Sequence, residues 1–295
     1  MQPTIHLFDA SPFLFRSFFS LPKSIVDTNG KPANAVYGFA SFVAKYITEE
    51  KPTHIAVAFD RHFNGSFRNE FYPPYKAHRD ASPPELDAQV DPALEVIEAL
   101  GATTFIDERY EADDLIASVI HRTRASANFV IVTTDKDLTQ LVSDRITLVD
   151  PGRSRFDAAA VEKKFGVRPD QITDFLGLAG DAVDNIPGVK GIGPKTAAQL
   201  LKRYGSIEAI YKALPIMKKS GIRGDGSLAA KLEEHVALAG LSKRLATVSI
   251  DAPVGGVTVN HLRYRGPDDA RIAALFARLG FKTLQARVSS SAKSG

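Results

Sequence analysis

The chain contains no cysteine, which removes disulfide scaffolds, thiolate zinc sites and cysteine nucleophiles together. It has no run of about 20 apolar residues, so a spanning helix is not expected. The opening Met1-Gln2-Pro3-Thr4 lacks the basic start and cleavage site of a secretory signal. There is no Walker phosphate loop and no Gly-x-Ser-x-Gly elbow, so the commonest nucleotide-hydrolase and serine-hydrolase classes drop out. What is present is ordinary globular material: 295 residues, 44% hydrophobic and 24% charged, enough for one large domain or two ordinary ones. A soluble, cytoplasmic protein without membrane contact is the expectation.

Net charge is slight but uneven. The total is +3, yet residues 186–224 carry eight Lys or Arg against one acid, Glu208, for +7, leaving −4 on the other 256. A basic segment on a mildly acidic body suits one surface for a polyanion, although a merely solvated face has the same charge.

The first half alternates short apolar runs with helix-period segments. Strands are expected over Ile5–Phe8, His54–Phe59, Thr103–Ile106, Phe129–Thr134 and Arg145–Val149. Helices are expected over Tyr37–Ile47, over Pro92–Leu100 and around Leu115–Ile120. Strands separated by helices imply an α/β fold, a mostly parallel sheet with helices on both faces. After about Arg168 the strands stop, and short helices separated by glycines run to about Asp251. The division expected is an α/β domain over 1–168 and a small all-α domain over 169–255. A C-terminal segment over 256–288 packs back through a helix at Asp268–Leu279, before a disordered tail over 289–295. Residues 72–92, rich in proline, charge and aromatics, read as a lid or arch.

Ligands of an open parallel sheet sit beyond the carboxyl ends of its strands. There stand Asp9, then Asp60, then Glu111-Ala112-Asp113-Asp114, then Asp135-Lys136-Asp137. Any one of these acids is more simply a turn former or helix cap. Seven on one edge would repel and be driven toward protonation unless cations neutralise them. Asp181 and Asp184, three apart, can face one way on a helical turn. No histidine stands beside these acids, and an all-oxygen set favours magnesium or manganese over zinc. Two such ions suit phosphodiester cleavage. No Asp-x-Asp-x-Asp-Gly calcium loop is present. An aspartate-nucleophile phosphatase would want a second Asp two residues after Asp9, where Ser11 stands.

Gly188-Val189-Lys190-Gly191-Ile192-Gly193-Pro194-Lys195-Thr196 looks like a helix-hairpin-helix loop whose glycines let backbone N–H groups approach a phosphate. Ser220-Gly221-Ile222-Arg223-Gly224 repeats the glycine theme. Phe67-Arg68, Phe71-Tyr72, Tyr75-Lys76 and His78-Arg79 interleave rings with cations, a mixture able to hold a single strand. Arg16 is a phosphate contact or a salt-bridge partner.

In order, Phe8-Asp9, Phe59-Asp60, Phe67-Arg68, Tyr75-Lys76-x-x-Arg79, Glu111-Ala112-Asp113-Asp114, Thr134-Asp135-Lys136-Asp137 and Gly180-Asp181-x-x-Asp184-Asn185-Ile186-Pro187-Gly188 form a pattern. It resembles the 5′-3′ exonuclease domain of bacterial DNA polymerase I, and more broadly the flap endonuclease family. The resemblance runs from Ile5 to about Phe281; no polymerase domain follows, so a stand-alone relative is expected. It implies a PIN-like nuclease domain and a helix-hairpin-helix domain. It also implies two magnesium ions, replaceable by manganese: one held largely by Asp9, Asp60, Glu111 and Asp113, the other by Asp135, Asp137 and Asp181. Asp114 and Asp184 complete the cluster. Lys76 and Arg79 would assist catalysis at the foot of a helical arch, with Arg16, Arg68 and Tyr75 on the DNA. The loop residues Gly188, Lys190, Gly191, Gly193, Lys195 and Thr196 would hold the duplex backbone, in several relatives through a potassium ion. Two departures stand out: Ala10-Ser11-Pro12 where Gly-Ser is usual, and Thr133-Thr134 where glycine or serine is common.

The expectation is therefore a monomeric, magnesium-dependent 5′-3′ exonuclease and flap endonuclease acting on DNA in replication and repair. Its rivals are a catalytically silent module that binds branched DNA, and a PIN-type ribonuclease, which would lack the basic hairpin domain.

Overall fold

β-Branched and aromatic runs build the sheet at the centre of the computed structural model, which describes residues 2–63, 65–152, 154–219, 224–282 and 284. Its strands are β1 (Thr4–Asp9), β2 (His54–Asp60), β3 (Thr103–Asp107), β4 (Asn128–Val132), β5 (Ile146–Asp150) and β6 (Ser154–Phe156), in the order β3-β2-β1-β4-β5-β6. All neighbours run parallel except β6, which returns antiparallel on β5 and has no counterpart among the expected strands. The strand order turns around β1, so the crevice beside its carboxyl end is where such a sheet binds ligands.

Strand side chains alternate between two cores. Phe8, Ile55, Val57, Phe59 and Val132 face α1 (Ser11–Ser20), α2 (Asn34–Glu50) and, once α3 (Arg68–Phe71) and α4 (Pro84–Asp87) are passed, α5 (Val90–Ala99). Ile5, Leu7, Ala56 and Ile131 face α6 (Ala112–Thr123) on the other side. α1 was not anticipated. It follows Asp9 after a single residue and carries Phe13, Leu14 and Phe18 into the core at helical spacing.

After α7 (Ala158–Phe165) the chain is helical: α8 (Ile172–Ala179), α9 (Pro194–Tyr204), α10 (Ile207–Lys219), α11 (Asp225–Glu234) and α12 (Val236–Ala246). Their apolar residues, among them Leu178, Leu200, Leu232 and Ala239, continue the core that lies under α6. α13 (Asp269–Leu279) packs Ile272 and Phe276 among the α2 and α5 side chains. Most of the second glycine segment, residues 220–223, and the tail, residues 289–295, lie outside the described residues.

The stretch 72–92 departs from expectation. It holds no helical arch, only the single turn α4 and the start of α5, and it lies on the body with Tyr75, Leu86 and Gln89 buried. Pro73, Pro74, Pro83 and Pro84 interrupt any longer helix. No helix of the described residues is long and apolar enough to cross a membrane.

His6 in β1 is half-buried, with Nδ1 hydrogen bonded to the Tyr46 hydroxyl at 2.8 Å. Burial first, and then the Arg155 charge, lower its pKa to about 4. A histidine depressed in the folded state contributes stability in full above its unfolded value. That contribution is lost as pH falls from about 6.5 toward 4, on the order of 2–3 kcal/mol. Urea unfolding of the wild type and His6→Gln at several pH values should show the wild-type advantage shrinking across that window. Parallel curves would remove His6 as a source of acid lability.

Candidate active site

Each acid reaches the crevice by a different local device. Asp9 ends β1 and is 3% exposed. Its Oδ1 accepts the Ser11 N–H at 3.2 Å, and its Oδ2 accepts the Thr133 hydroxyl at 2.8 Å. That hydroxyl in turn accepts the Asp135 N–H at 2.9 Å, so Thr133 joins the ends of β1 and β4. Asp60 accepts the Ala112 N–H at 2.6 Å and the Ser11 hydroxyl. Glu111 and Asp113 sit at the start of α6, and Asp135 accepts the Asp137 N–H at 2.8 Å. Of the two departures noted in the sequence, Thr133 supplies the hydroxyl that orients Asp9, while Ser11, which keeps the usual serine beside Ala10, orients Asp60. Asp9, Asp60, Glu111, Asp113, Asp135 and Lys76 line a cavity of about 320 Å³. A cleft of about 380 Å³ at the amino end of β3 is slightly larger, but its one acid, Glu98, is already paired with Arg271 and Thr104.

The carboxylates raise one another. Burial first, and then the charges of Asp60 and Asp135, push Asp9 well above the usual range. Burial with Asp135, Asp9 and Asp60 does the same to Asp113. Burial with Asp135, Asp184 and Asp181 does so to Asp137. Asp60 is raised by burial and Glu111, and Asp135 chiefly by burial. Glu111 is the exception: burial alone would raise it, but the Lys76 ammonium and the Arg68 guanidinium outweigh that and hold it low.

Lys76 is drawn into the cluster. Its ammonium contacts Glu111 and lies 3.6 Å from Asp184, and its backbone takes φ = 54°, unusual for a non-glycine residue. Burial would lower its pKa, yet Glu111, Tyr75, Asp184 and Asp60 raise it well above normal. Arg79 pairs with Asp184 and donates to the Val183 carbonyl at 3.2 Å. Asn185 donates to the Pro74 carbonyl at 2.7 Å, and the Lys76 N–H to the Asp184 carbonyl at 3.1 Å. The turn over 72–79 is therefore stapled to the Asp181–Asn185 turn, which brings Asp181 and Asp184 within electrostatic reach of Asp137.

Several expected roles move. Arg68 is 3% exposed and cannot meet DNA where it stands. Its guanidinium forks onto Asp114 at 2.8 and 2.9 Å and reaches Glu111 at 2.8 Å. Asp114 is fully buried and saturated by that fork and by the Glu111 and Ser249 N–H groups, so it orients Glu111 rather than facing the cavity. Tyr75 is buried, so its ring offers no face to a base, and its one hydroxyl proton lies within reach of Glu111 at 3.2 Å and Asp184 at 3.1 Å. Gly188 is buried against Gly180, where a Cβ would lie 2.4 Å from the Gly180 nitrogen, and its N–H goes to Ser242. Its glycine serves packing, not a phosphate. Lys190, Gly191, Gly193 and Lys195 are exposed, Thr196 is half-exposed, and Gly193 caps α9 with no side-chain hydrogen bond. Arg16 is exposed, 5.1 Å from the Phe13 ring. Gln140, whose amide donates to the Asp137 and Ala246 carbonyls, did not stand out in the sequence, because a neutral residue in a short helix gives no chemical signal.

The donor set suits a hard divalent ion: it is all oxygen, largely buried, and short of positive charge. Among the described residues no three acids stand closed around one point, and the Lys76 ammonium lies between Glu111 and Asp184. Removing one charge should relax the cluster. Asp113→Asn should stabilise the metal-free protein by about 1 kcal/mol and reduce the further stabilisation on adding magnesium. Thermal melts with chelator and with magnesium check both; a lower metal-free melting temperature would contradict the repulsion.

Residues 4–166 match the 5′-3′ exonuclease N-terminal resolvase-like domain, and residues 167–270 its C-terminal SAM fold. DNA polymerase I of Bacillus caldotenax is 37% identical over 300 residues, covering 98% of this chain and 33% of that protein. The chain thus spans about a third of the length of the relatives it matches. Its fold is shared with bacteriophage T5 5′-exonuclease solved with bound zinc, at TM-score 0.67, 20% identity and 98% coverage of both chains. It is shared also with a T5 flap endonuclease solved with DNA and metal ions, at TM-score 0.66, 20% identity and 98% coverage of both chains. With both family domains matched in order and the strand-end carboxylates gathered in one crevice, the chain belongs to the 5′-3′ exonuclease family.

Proposed function

We propose that the chain hydrolyses DNA phosphodiesters near a 5′ end or at a flap junction, as a monomer, with two divalent ions of which magnesium is the natural one. The observation that carries this is the convergence of buried and half-buried, mutually repelling carboxylates at the sheet's switch point. Asp9, Asp60, Glu111 and Asp113 would hold one ion, and Asp135, Asp137 and Asp181 the other, with Asp184 closing the ring. Bound there, the ions would neutralise the acids and the charge developing on the attacking and leaving oxygens. A binding module without catalysis would carry the same repulsion to no purpose.

The chain's own cations do the rest. Lys76, beside Glu111 and Asp184, would donate to the scissile phosphate, and Arg79, paired with Asp184, would stand beside it. The exposed N-terminus of α9, with Lys190 and Lys195, would hold the duplex backbone without regard to sequence, aided by a potassium ion on the loop carbonyls. In this reading residues 1–168 cut and residues 169–255 hold.

A 5′-labelled flap substrate tests it. The wild type should cleave near the junction with magnesium and not with chelator. Asp135→Asn should lose at least about 100-fold in rate, about 2.7 kcal/mol, while binding DNA in calcium within a few-fold of normal. Full turnover by that variant would sink the two-ion assignment.

A further inference from the structure

The C-terminal part of α12 (Val236–Ala246) both anchors the start of the hairpin loop and is tied to the acid cluster. In α12, the Ser242 hydroxyl accepts the Gly188 N–H at 2.9 Å. At the end of that helix the carbonyls have no intrahelical partner, and side chains from beneath the crevice take them one by one. Arg68 Nε donates to the Leu245 carbonyl at 2.9 Å and its Nη2 to the Thr247 carbonyl at 3.0 Å. Gln140 Nε2 donates to the Ala246 carbonyl at 3.0 Å, and its Oε1 accepts the Val248 N–H at 3.1 Å. The same two side chains lead to the acids. Arg68 holds Glu111 at 2.8 Å, and with its fork on Asp114 it uses all five of its donors. Gln140 Nε2 also donates to the carbonyl of Asp137 at 2.9 Å.

We infer that Gln140 and Arg68 are positioning residues. They set the Asp137 turn and Glu111 in register with the C-terminus of α12, and through Ser242 with the hairpin loop, so that a duplex on the loop and the carboxylates share one frame. This rests on the nuclease reading above. Its physical basis is that catalytic geometry tolerates little displacement: a shift near 1 Å costs on the order of 100-fold. Gln140 is the sharper probe, because it is neutral and its removal leaves the charge of the cluster unchanged.

The full-length chain with Gln140→Met tests this, since methionine keeps the length and loses every hydrogen bond. Gln140→Asn, which keeps the amide on a shorter arm, serves where the first variant does not fold. Three quantities are measured: duplex affinity in calcium, single-turnover cleavage at saturating enzyme, and the magnesium concentration giving half of the thermal stabilisation. Affinity should stay within about two-fold, the saturated rate should fall about ten-fold, and the magnesium midpoint should rise several-fold. A variant that melts earlier but keeps a normal saturated rate and magnesium midpoint would make Gln140 a plain structural tie and overturn the inference. So would a loss accounted for wholly by affinity. If the wild type itself fails to cut the flap, the nuclease reading falls alone, and the magnesium midpoint still decides the role of Gln140.

Discussion

The structure turns on the repulsion among carboxylates gathered at the carboxyl edge of one parallel sheet. Packing drives them together: β1, β2 and β4 bury apolar faces on both sides, and their ends must emerge side by side. Ionising several acids there costs free energy that only nearby positive charge offsets. The surrounding features read as answers to that cost. The Thr133 and Ser11 hydroxyls donate to Asp9 and Asp60, Arg68 neutralises Asp114 and steadies Glu111, and Lys76 leans in from the proline-rich turn.

Lys76 shows how strongly the cluster pulls. A lysine at φ = 54° carries backbone strain of roughly 1–2 kcal/mol. It is held there by Glu111, by Asp184 and by the stapling of its own turn to the Asp181–Asn185 turn. That arrangement keeps a cation within reach of the crevice. In the proposed reaction the residue that offsets the carboxylate charge here would also supply a donor to the phosphate.

Much of this was legible in the amino-acid order. Five strands show as short apolar runs, and the acids that follow them are read directly because a parallel sheet sends its strand ends to one edge. α1 was not read even though Pro12 stands in its first turn, since its Phe-rich pattern begins one residue after a strand. Nor was β6, three residues long and mostly exposed. Arg68 and Tyr75 misled for a physical reason. Aromatic–cation alternation looks alike whether the side chains face solvent or fold inward, and only the tertiary contact with Asp114 and the α12 carbonyls decides. Gly188 likewise signals close backbone approach in either case, to a phosphate or, as here, to Gly180.

The proposed chemistry requires divalent cations to replace Lys76 among the acids. A crystal grown with manganese, with anomalous scattering recorded, measures this directly. Two anomalous peaks should appear, one among Asp9, Asp60, Glu111 and Asp113 and one beside Asp135, Asp137 and Asp181, with the Lys76 ammonium withdrawn from Glu111. Absence of peaks at those carboxylates, with Lys76 still lodged between Glu111 and Asp184, would contradict it.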